Sequence, residues 1–351
     1  MKRPGTTTRV LICEDSRTYA AALERLLSHG GELEVVGICD TAEKAIAAVP
    51  RLKPDIVTMD IELPGMSGLE AVEQLMGSQP LPILVLSSYA TRGSDAVAFA
   101  IAAGALDAVS KDELDLRDPG SVAARAFRHR VKLLSGARVI RHPRARLRRR
   151  KTPPAVGSPR SAAVIGVCAS TGGPPALAAL LGSLPADFPI PVLVVQHIAA
   201  GFIEGLTHWL DKEVALPVRL ASAGDQLGAG VWVAPEGAHL LLGENGQLAL
   251  DTVTVSGHHR PSADMLFGSL AAVAAKLAVG VVMTGMGRDG AAGIGAIAAA
   301  GGLTVAQDEA TSAIYGMPHA AAEKGVDLVL PPSEIAAVLA ALELAPLKRR
   351  A

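Results

Sequence analysis

Five polar side chains in the first 111 residues share one setting, each lying at or just past the end of a short apolar run. Glu14 and Asp15 follow the run Val10 to Cys13, Asp60 follows Asp55 to Met59, Ser87 follows Ile83 to Leu86, and Lys111 follows Leu106 to Val109. In an open parallel sheet, groups at the C-terminal ends of strands gather along one edge. Three carboxylates brought together there repel one another unless a divalent cation joins them, and oxygen-only ligands suit Mg²⁺. A lysine and a hydroxyl beside them could neutralise and contact the extra oxygens of a phosphoryl group. Any one of these acids alone reads as a loop or helix cap. The five together point to phosphoryl chemistry.

A second set lies further along the chain. Ser170 stands in AVIGVCASTGGPP, beyond an apolar run and just ahead of a Pro-led helix, where a nucleophilic hydroxyl would find backbone N–H groups for an oxyanion. His197 ends PVLVVQH, and Asp289 lies in VVMTGMGRDG after another apolar run. An imidazole so placed could take the serine proton while a carboxylate fixes its tautomer. Taken singly, the serine and the aspartate read as helix caps and the histidine as a polar strand end. The serine turn is neither a hydrolase elbow, since Cys168 replaces the first glycine, nor a P-loop, which needs a lysine after its glycines. Gly285, Gly287 and Gly290 also spell G-x-G-x-x-G, with Asp308 about 18 residues on, which keeps a dinucleotide site open. Asp289 would repel a pyrophosphate there. His258 and His259, with His239 and Asp264, invite a metal site, although adjacent histidines rarely aim at one ion.

The elements that must carry these groups follow from periodicity. Over residues 8–135 five apolar runs, the four above plus Val35 to Cys39, alternate with amphipathic stretches, and Gly104 is placed to end a helix. This predicts a flavodoxin-like (βα)5 domain, a parallel sheet covered on both faces. Residues 136–160 are rich in Arg and Pro without apolar period and read as a linker. Residues 161–345 resume an α/β pattern and predict a doubly wound parallel sheet. Its strands are Ala163 to Cys168, Val192 to Val195, Val218 to Leu220, Val231 to Val233, Ala278 to Met283, Leu303 to Ala306 and Asp327 to Leu330, and Val231 to Val255 reads as a short β-hairpin insert.

Composition narrows the function classes. The 351 residues carry a net charge of -1, but nine of the 33 Lys and Arg fall between Arg138 and Arg160, where there is no acid. The remainder has 24 basic against 34 acidic residues, an acidic protein with one basic tether, read as a self-repelling extended hinge. A nucleic-acid patch on Arg148 to Lys151 is the competing reading. Only 3% of the residues are aromatic, which counts against stacking platforms for sugars or single strands. Cys13, Cys39 and Cys168 each lie in an apolar setting and read as inert buried thiols in a reducing compartment. Residues 161–186 carry no charge, yet Gly172-Gly173-Pro174-Pro175 would break a spanning helix. The expectation is a cytoplasmic monomer without membrane insertion or nucleic acid.

The residues Glu14, Asp15, Asp60, Ser87 and Lys111 resemble the receiver domain of bacterial response regulators. That resemblance implies that Asp60 accepts phosphate from a histidine kinase, that Glu14, Asp15 and Asp60 bind Mg²⁺, and that Ser87 and Lys111 form the switch pair. The chain departs from the pattern at Glu14, where Asp is commoner, at Ala108, where many receivers carry an aromatic, and at Asp112, where Pro is usual. CASTGGPPAL, VVQH, VAPEGAHL, SGHHRPSADMLF and VVMTGMGRDGAAG, in that order, resemble the chemotaxis-specific protein-glutamate methylesterases. This implies Ser170 as nucleophile, His197 as general base and acid, Asp289 as the orienting carboxylate, and the N–H groups of Thr171 and Met286 as oxyanion donors. It also implies a cofactor-free esterase, gated by the receiver, that demethylates and deamidates chemoreceptors. Ile198-Ala199 stands where the family often has Met-Pro.

Overall fold

Each half of the chain builds its own parallel sheet, and in both the residues with chemistry stand past the strand ends. The structure, a computed structural model, describes residues 7–88, 94–139, 160–255 and 259–347. The chain divides into two units, and most of the basic tether lies outside the described residues.

The first unit has strands β1 (Thr8–Cys13), β2 (Leu33–Cys39), β3 (Ile56–Asp60), β4 (Ile83–Ser87) and β5 (Asp107–Ser110), in the order β2-β1-β3-β4-β5 with parallel pairings. The strands β3, β4 and β5 are buried throughout, as continuous apolar runs between two helical layers must be. Hydroxyls start the helices. Ser16, Thr41 and Ser121 each accept a backbone N–H of their first turn, and Ser67 with Glu70 forms a reciprocal capping box. Gly104, just past the helix Ser94–Ala102, has φ +122°, and a Cβ there would come within 2.6 Å of Met76 Cε. The stop falls where sequence put it, for reasons of both conformation and space.

The second unit has β6 (Ser161–Ala162), β7 (Val164–Ala169), β8 (Val192–Gln196), β9 (Val218–Leu220), β10 (Val231–Val233), β11 (His239–Leu242), β12 (Leu248–Asp251), β13 (Ala278–Val282), β14 (Leu303–Gln307), β15 (Leu328–Leu330) and β16 (Glu343–Leu344). Seven form the main sheet in the order β15-β14-β13-β7-β8-β10-β9, all parallel. The chain enters at β7, winds outward through β8, then returns to the other side of β7 with β13. The strand order therefore reverses at β7, where an open α/β sheet forms its crevice. One expectation is corrected. The hairpin insert is only β11 and β12, because Val231–Val233 joins the main sheet beside β8, where all three residues are buried. Leu240, Leu242 and Leu248 of the hairpin are buried in one cluster with Leu266, Phe267 and Leu270 of the helix Ala263–Ala274. The uncharged stretch 161–186 resolves into β6, β7, a turn and the helix Gly173–Leu181. Among the described residues, no helix is long and apolar enough to cross a membrane. All three cysteines are unpaired and buried.

Candidate functional site

At the C-terminal edge of the first sheet, one oxygen from each of Glu14, Asp15 and Asp60 lies within 4.8 Å of the others. Glu14 and Asp60 are buried, while Asp15 is exposed. Lys111 Nζ donates a hydrogen bond to Asp60 Oδ2 at 2.7 Å and stands 2.7 Å from Glu14 Oε2. Among the described residues Lys111 is therefore the one donor to the buried Glu14 Oε2, while the Ser16 N–H donates to Glu14 Oε1 at 3.3 Å and the Glu62 N–H to Asp60 Oδ1 at 3.0 Å. Burial raises the Glu14 carboxyl, and the Lys111 ammonium opposes that rise. Burial alone would depress Lys111, but its bonds to Asp60 and Glu14 hold it above the usual ammonium value. Ser87 is buried at the end of β4, the strand between β3 and β5 that carry Asp60 and the approach to Lys111. Two buried carboxylates whose oxygens have a single donor each among the described residues, beside a third carboxylate, keep lone pairs that fit a hard divalent cation.

In the second unit, Ser170 follows β7 directly and His197 follows β8. The pairings Cys168↔Val195 and Ala169↔Gln196 make Ser170 and His197 the next rung, and the His197 N–H donates to Ala169 O at 2.9 Å. On the other side, the Ser170 N–H donates to Thr284 O at 3.0 Å, which ties the serine to the loop after β13. Gln196, buried, clamps the turns of Ser170 and His197, because its Nε2 donates to Ser170 O and to His197 O, both at 2.8 Å. Two glycines permit this closeness. A Cβ on Gly173 would meet Gln196 Oε1 at 2.1 Å, and one on Gly285 would meet Ser170 Cβ at 2.7 Å.

Asp289 comes from the loop after β13 and reaches His197, with Oδ2 2.9 Å from Nε2 and both side chains about nine-tenths buried. The contact has an ion-pair distance without full hydrogen-bond alignment, and Nδ1 of the ring is buried with no partner. The rest of the carboxylate is saturated. Oδ1 accepts from Ser262 Oγ at 2.9 Å and from the Asp264 N–H at 3.1 Å, and Oδ2 accepts from the Ala263 N–H at 2.7 Å. Burial pushes the carboxyl up, but His197 and these helix-start amides outweigh it and hold Asp289 well below the usual carboxylate range.

Sequence reasoning placed Ser170, His197 and Asp289 at strand ends, and the structure gathers the three loops at the reversal of strand order. Thr171 is buried beside Ser170, and Met286 is half-buried next to Gly285. Three supporting residues escaped the sequence: Gln196, Ser262 and His239. Ser262 caps the helix Ala263–Ala274 without bonding its own amides, since its hydroxyl turns to Asp289. His239, fully buried, accepts the Ser262 N–H at Nδ1 (3.0 Å) and uses Nε2 on Thr254 O (3.0 Å). Both ring nitrogens are thereby engaged, which removes His239 from a metal site; His258 lies outside the described residues.

The dinucleotide reading fails on the same geometry. The helix Ala291–Ala299 begins at Gly290 with no side-chain cap of its own. Asp264 Oδ1 accepts its Gly293 N–H at 2.7 Å. The helix start that would cradle a pyrophosphate is occupied by a carboxylate of the protein itself, and Asp308 is engaged with Thr311.

Comparison with known proteins agrees with this division. Residues 10–117 match the response regulator receiver domain family, and residues 165–339 match the CheB methylesterase family. A protein-glutamate methylesterase/protein-glutamine glutaminase of Anaeromyxobacter dehalogenans is 45% identical over 93% of this chain and 94% of its own length. One from Myxococcus xanthus is 40% identical over 92% and 90%. The crystal structure of the Thermotoga maritima CheB methylesterase catalytic domain aligns with a TM-score of 0.50 at 34% identity, covering 51% of this chain and 98% of that domain. The chain therefore belongs to the protein-glutamate methylesterase/protein-glutamine glutaminase family, with a receiver domain ahead of its CheB methylesterase domain.

Proposed function

We propose that the protein is a phosphorylation-regulated serine hydrolase that removes methyl groups from glutamyl γ-methyl esters of chemoreceptors and deamidates their glutamines. The observation that carries this reading is the His197–Asp289 pair, held one strand over from Ser170 by the Gln196 clamp. Asp289 faces Nε2 of the ring, which leaves Nδ1 to accept the Ser170 proton. Ser170 Oγ attacks the side-chain carbonyl carbon, and its proton passes to His197. The tetrahedral intermediate collapses as methanol leaves with that proton. Water then attacks the acyl-serine with the same base, and glutamate and free Ser170 result. With glutamine the leaving group is ammonia. The N–H groups of Thr171 and Met286 are the oxyanion donors of this reading. General-base help of about 10²–10⁴ and oxyanion stabilisation of about 10²–10³ are the terms it asks the site to supply.

Regulation is assigned to Asp60, which accepts phosphate from a histidine kinase. Glu14, Asp15 and Asp60 would hold Mg²⁺, which when bound offsets charge on the transferring phosphoryl oxygens. Lys111 then neutralises the acyl phosphate and Ser87 contacts it. An unphosphorylated receiver holds the esterase back, and moving such an equilibrium from 1:99 to 99:1 takes about 5.5 kcal/mol, so partial gating is expected. In this reading the enzyme acts in the cytoplasm as a monomer, without nucleic acid. Methanol release from methylated receptor tests both halves. Ser170→Ala should abolish it, and a small phosphodonor should raise it in wild type but not in Asp60→Asn. Release by Ser170→Ala would sink the hydrolase mechanism, and equal stimulation of Asp60→Asn would sink the regulatory site.

A further inference from the structure

The His197 ring is gripped on more than its edge. The imidazole of His259 stacks on it, with ring centroids 4.2 Å apart and planes inclined by 12°. An exposed residue covers a face of the ring whose Nε2 meets Asp289. The segment that follows His259 is held at two points. Arg260, the next residue, donates from Nη1 to Thr252 O at 2.7 Å and from Nη2 to Thr254 O at 2.9 Å. Three residues on, Ser262 is held by buried His239 through its N–H, and it donates to Asp289 through its hydroxyl. The chain from 259 to 264 thus supplies a stacking ring for the histidine and all three non-histidine donors for the aspartate.

We propose that His259 is a positioning residue of the esterase. Its ring fixes the plane of His197, so that Nε2 stays on Asp289 while Nδ1 stays available to the serine hydroxyl. The inference rests on the serine-hydrolase reading above. Asp289 touches only one nitrogen and leaves rotation about that contact unrestrained. A parallel ring at stacking distance removes that freedom, and a reacting group misplaced by about 1 Å can cost about 10²-fold in rate.

The full-length protein with methylated receptor provides the test, comparing His259→Ala, His259→Phe and Ser170→Ala. His259→Ala should lower kcat about three- to tenfold, the range an aromatic pair is worth, with KM unchanged. His259→Phe, which keeps a flat ring without nitrogens, should restore most of the loss. In parallel, the His197 ring proton resonances should shift in His259→Ala, losing the ring current of their neighbour, and move back toward wild type in His259→Phe. A wild-type kcat in His259→Ala, a Phe variant as slow as Ala, or a change confined to KM would each overturn the proposal. Loss of all release in Ser170→Ala alongside any of those results would leave the hydrolase reading standing and remove only the role of His259. Undiminished release by Ser170→Ala would remove the hydrolase reading itself, whatever the ring resonances showed about the stack.

Discussion

Replacing Asp289 by Asn tests how the carboxylate is wired. Four groups point at its two oxygens: Ser262 Oγ and the Asp264 N–H at Oδ1, the Ala263 N–H and His197 Nε2 at Oδ2. An amide has one acceptor oxygen and an NH₂ that must face the other pair. With the NH₂ toward Oδ2's partners it meets the Ala263 N–H head-on and demands a lone pair at Nε2, which moves the proton to Nδ1. That is the wrong tautomer, costly in a triad by about 10⁴. With the NH₂ toward Oδ1's partners, the Ser262 hydroxyl can turn and accept, and only the Asp264 N–H is left without a partner. The second orientation should win, at a stability cost of about 1–3 kcal/mol for one unsatisfied donor. The tautomer then survives but the negative charge is gone. At about 4 Å and an effective dielectric near 20, that charge is worth roughly 4 kcal/mol to an imidazolium, so kcat should fall about 10²–10³-fold. Asp289→Ala strands all four groups and should destabilise the protein further. Methanol release and urea unfolding of both variants decide the matter. A folded Asp289→Asn enzyme within about tenfold of the wild-type rate would refute this account of the wiring.

Other consequences can be checked alongside. Because the folded-state pKa of Asp289 is depressed, its contribution to stability is complete above the unfolded value near 4 and drains away as pH falls towards the folded one. The stability gap between wild type and Asp289→Asn should therefore hold from pH 7 to about 5 and narrow by about 1 kcal/mol by pH 3 in urea unfolding, whereas a constant gap would contradict the depressed value. Gln196→Leu keeps the volume but removes the bridge between Ser170 O and His197 O, and should cost about 1–3 kcal/mol in unfolding with a loss in kcat larger than any change in KM. Gly285→Ala puts a methyl 2.7 Å from Ser170 Cβ and 2.3 Å from Met317 Sδ, so the serine must move and release should drop about 10²-fold or more. Lys111→Met leaves Glu14 and Asp60 buried without their cation and should destabilise the receiver by about 3–5 kcal/mol. Millimolar Mg²⁺ should recover much of that in calorimetry, and no recovery would count against the cation site.

What the sequence disclosed and what it withheld divide along a physical line. Most of the twelve main-sheet strands stand out because strands buried on both faces are short apolar runs, the part-buried β2, β9 and β15 keep enough apolar residues to be seen, and the ends agree within one or two residues. Ser170 and His197 stand out as polar residues directly past such runs, whereas Asp289 lies seven residues beyond β13 in a glycine-rich loop. The hairpin was drawn too wide because Val231–Val233 and the hairpin strands follow one another with the same residue types, and only pairing partners distinguish them. Gln196 was invisible as a clamp, since its role depends on two carbonyls that the fold brings to it. Ser262 before Ala-Asp looks like an ordinary helix cap, and nothing local reveals that its hydroxyl turns away. The three histidines at 239, 258 and 259 suggested a ligand set by composition. Their contacts set His239 and His259 apart, for His239 braces Ser262 and His259 stacks on His197.

The two helices behind the His197–Asp289 pair show why that site suits a triad and the other could hold a metal. Asp289 stands just before the helix Ala291–Ala299 yet caps the start of Ala263–Ala274, while Asp264, in the first turn of Ala263–Ala274, caps Ala291–Ala299. This exchange uses the positive ends of both helices to hold two partly buried carboxylates in place. It also occupies both oxygens of Asp289, which has only a fixed edge to offer His197 and nothing for a cation. In the first unit the balance is reversed. Glu14 and Asp60 are more deeply buried, but among the described residues each of their oxygens has a single donor, and one ammonium serves both acids. Clustered carboxylates whose oxygens carry several donors are suited to positioning, and clustered carboxylates with lone pairs to spare are suited to a cation. The same residue type thus takes opposite parts in the two halves of one chain, and counting the donors around each oxygen is enough to tell them apart.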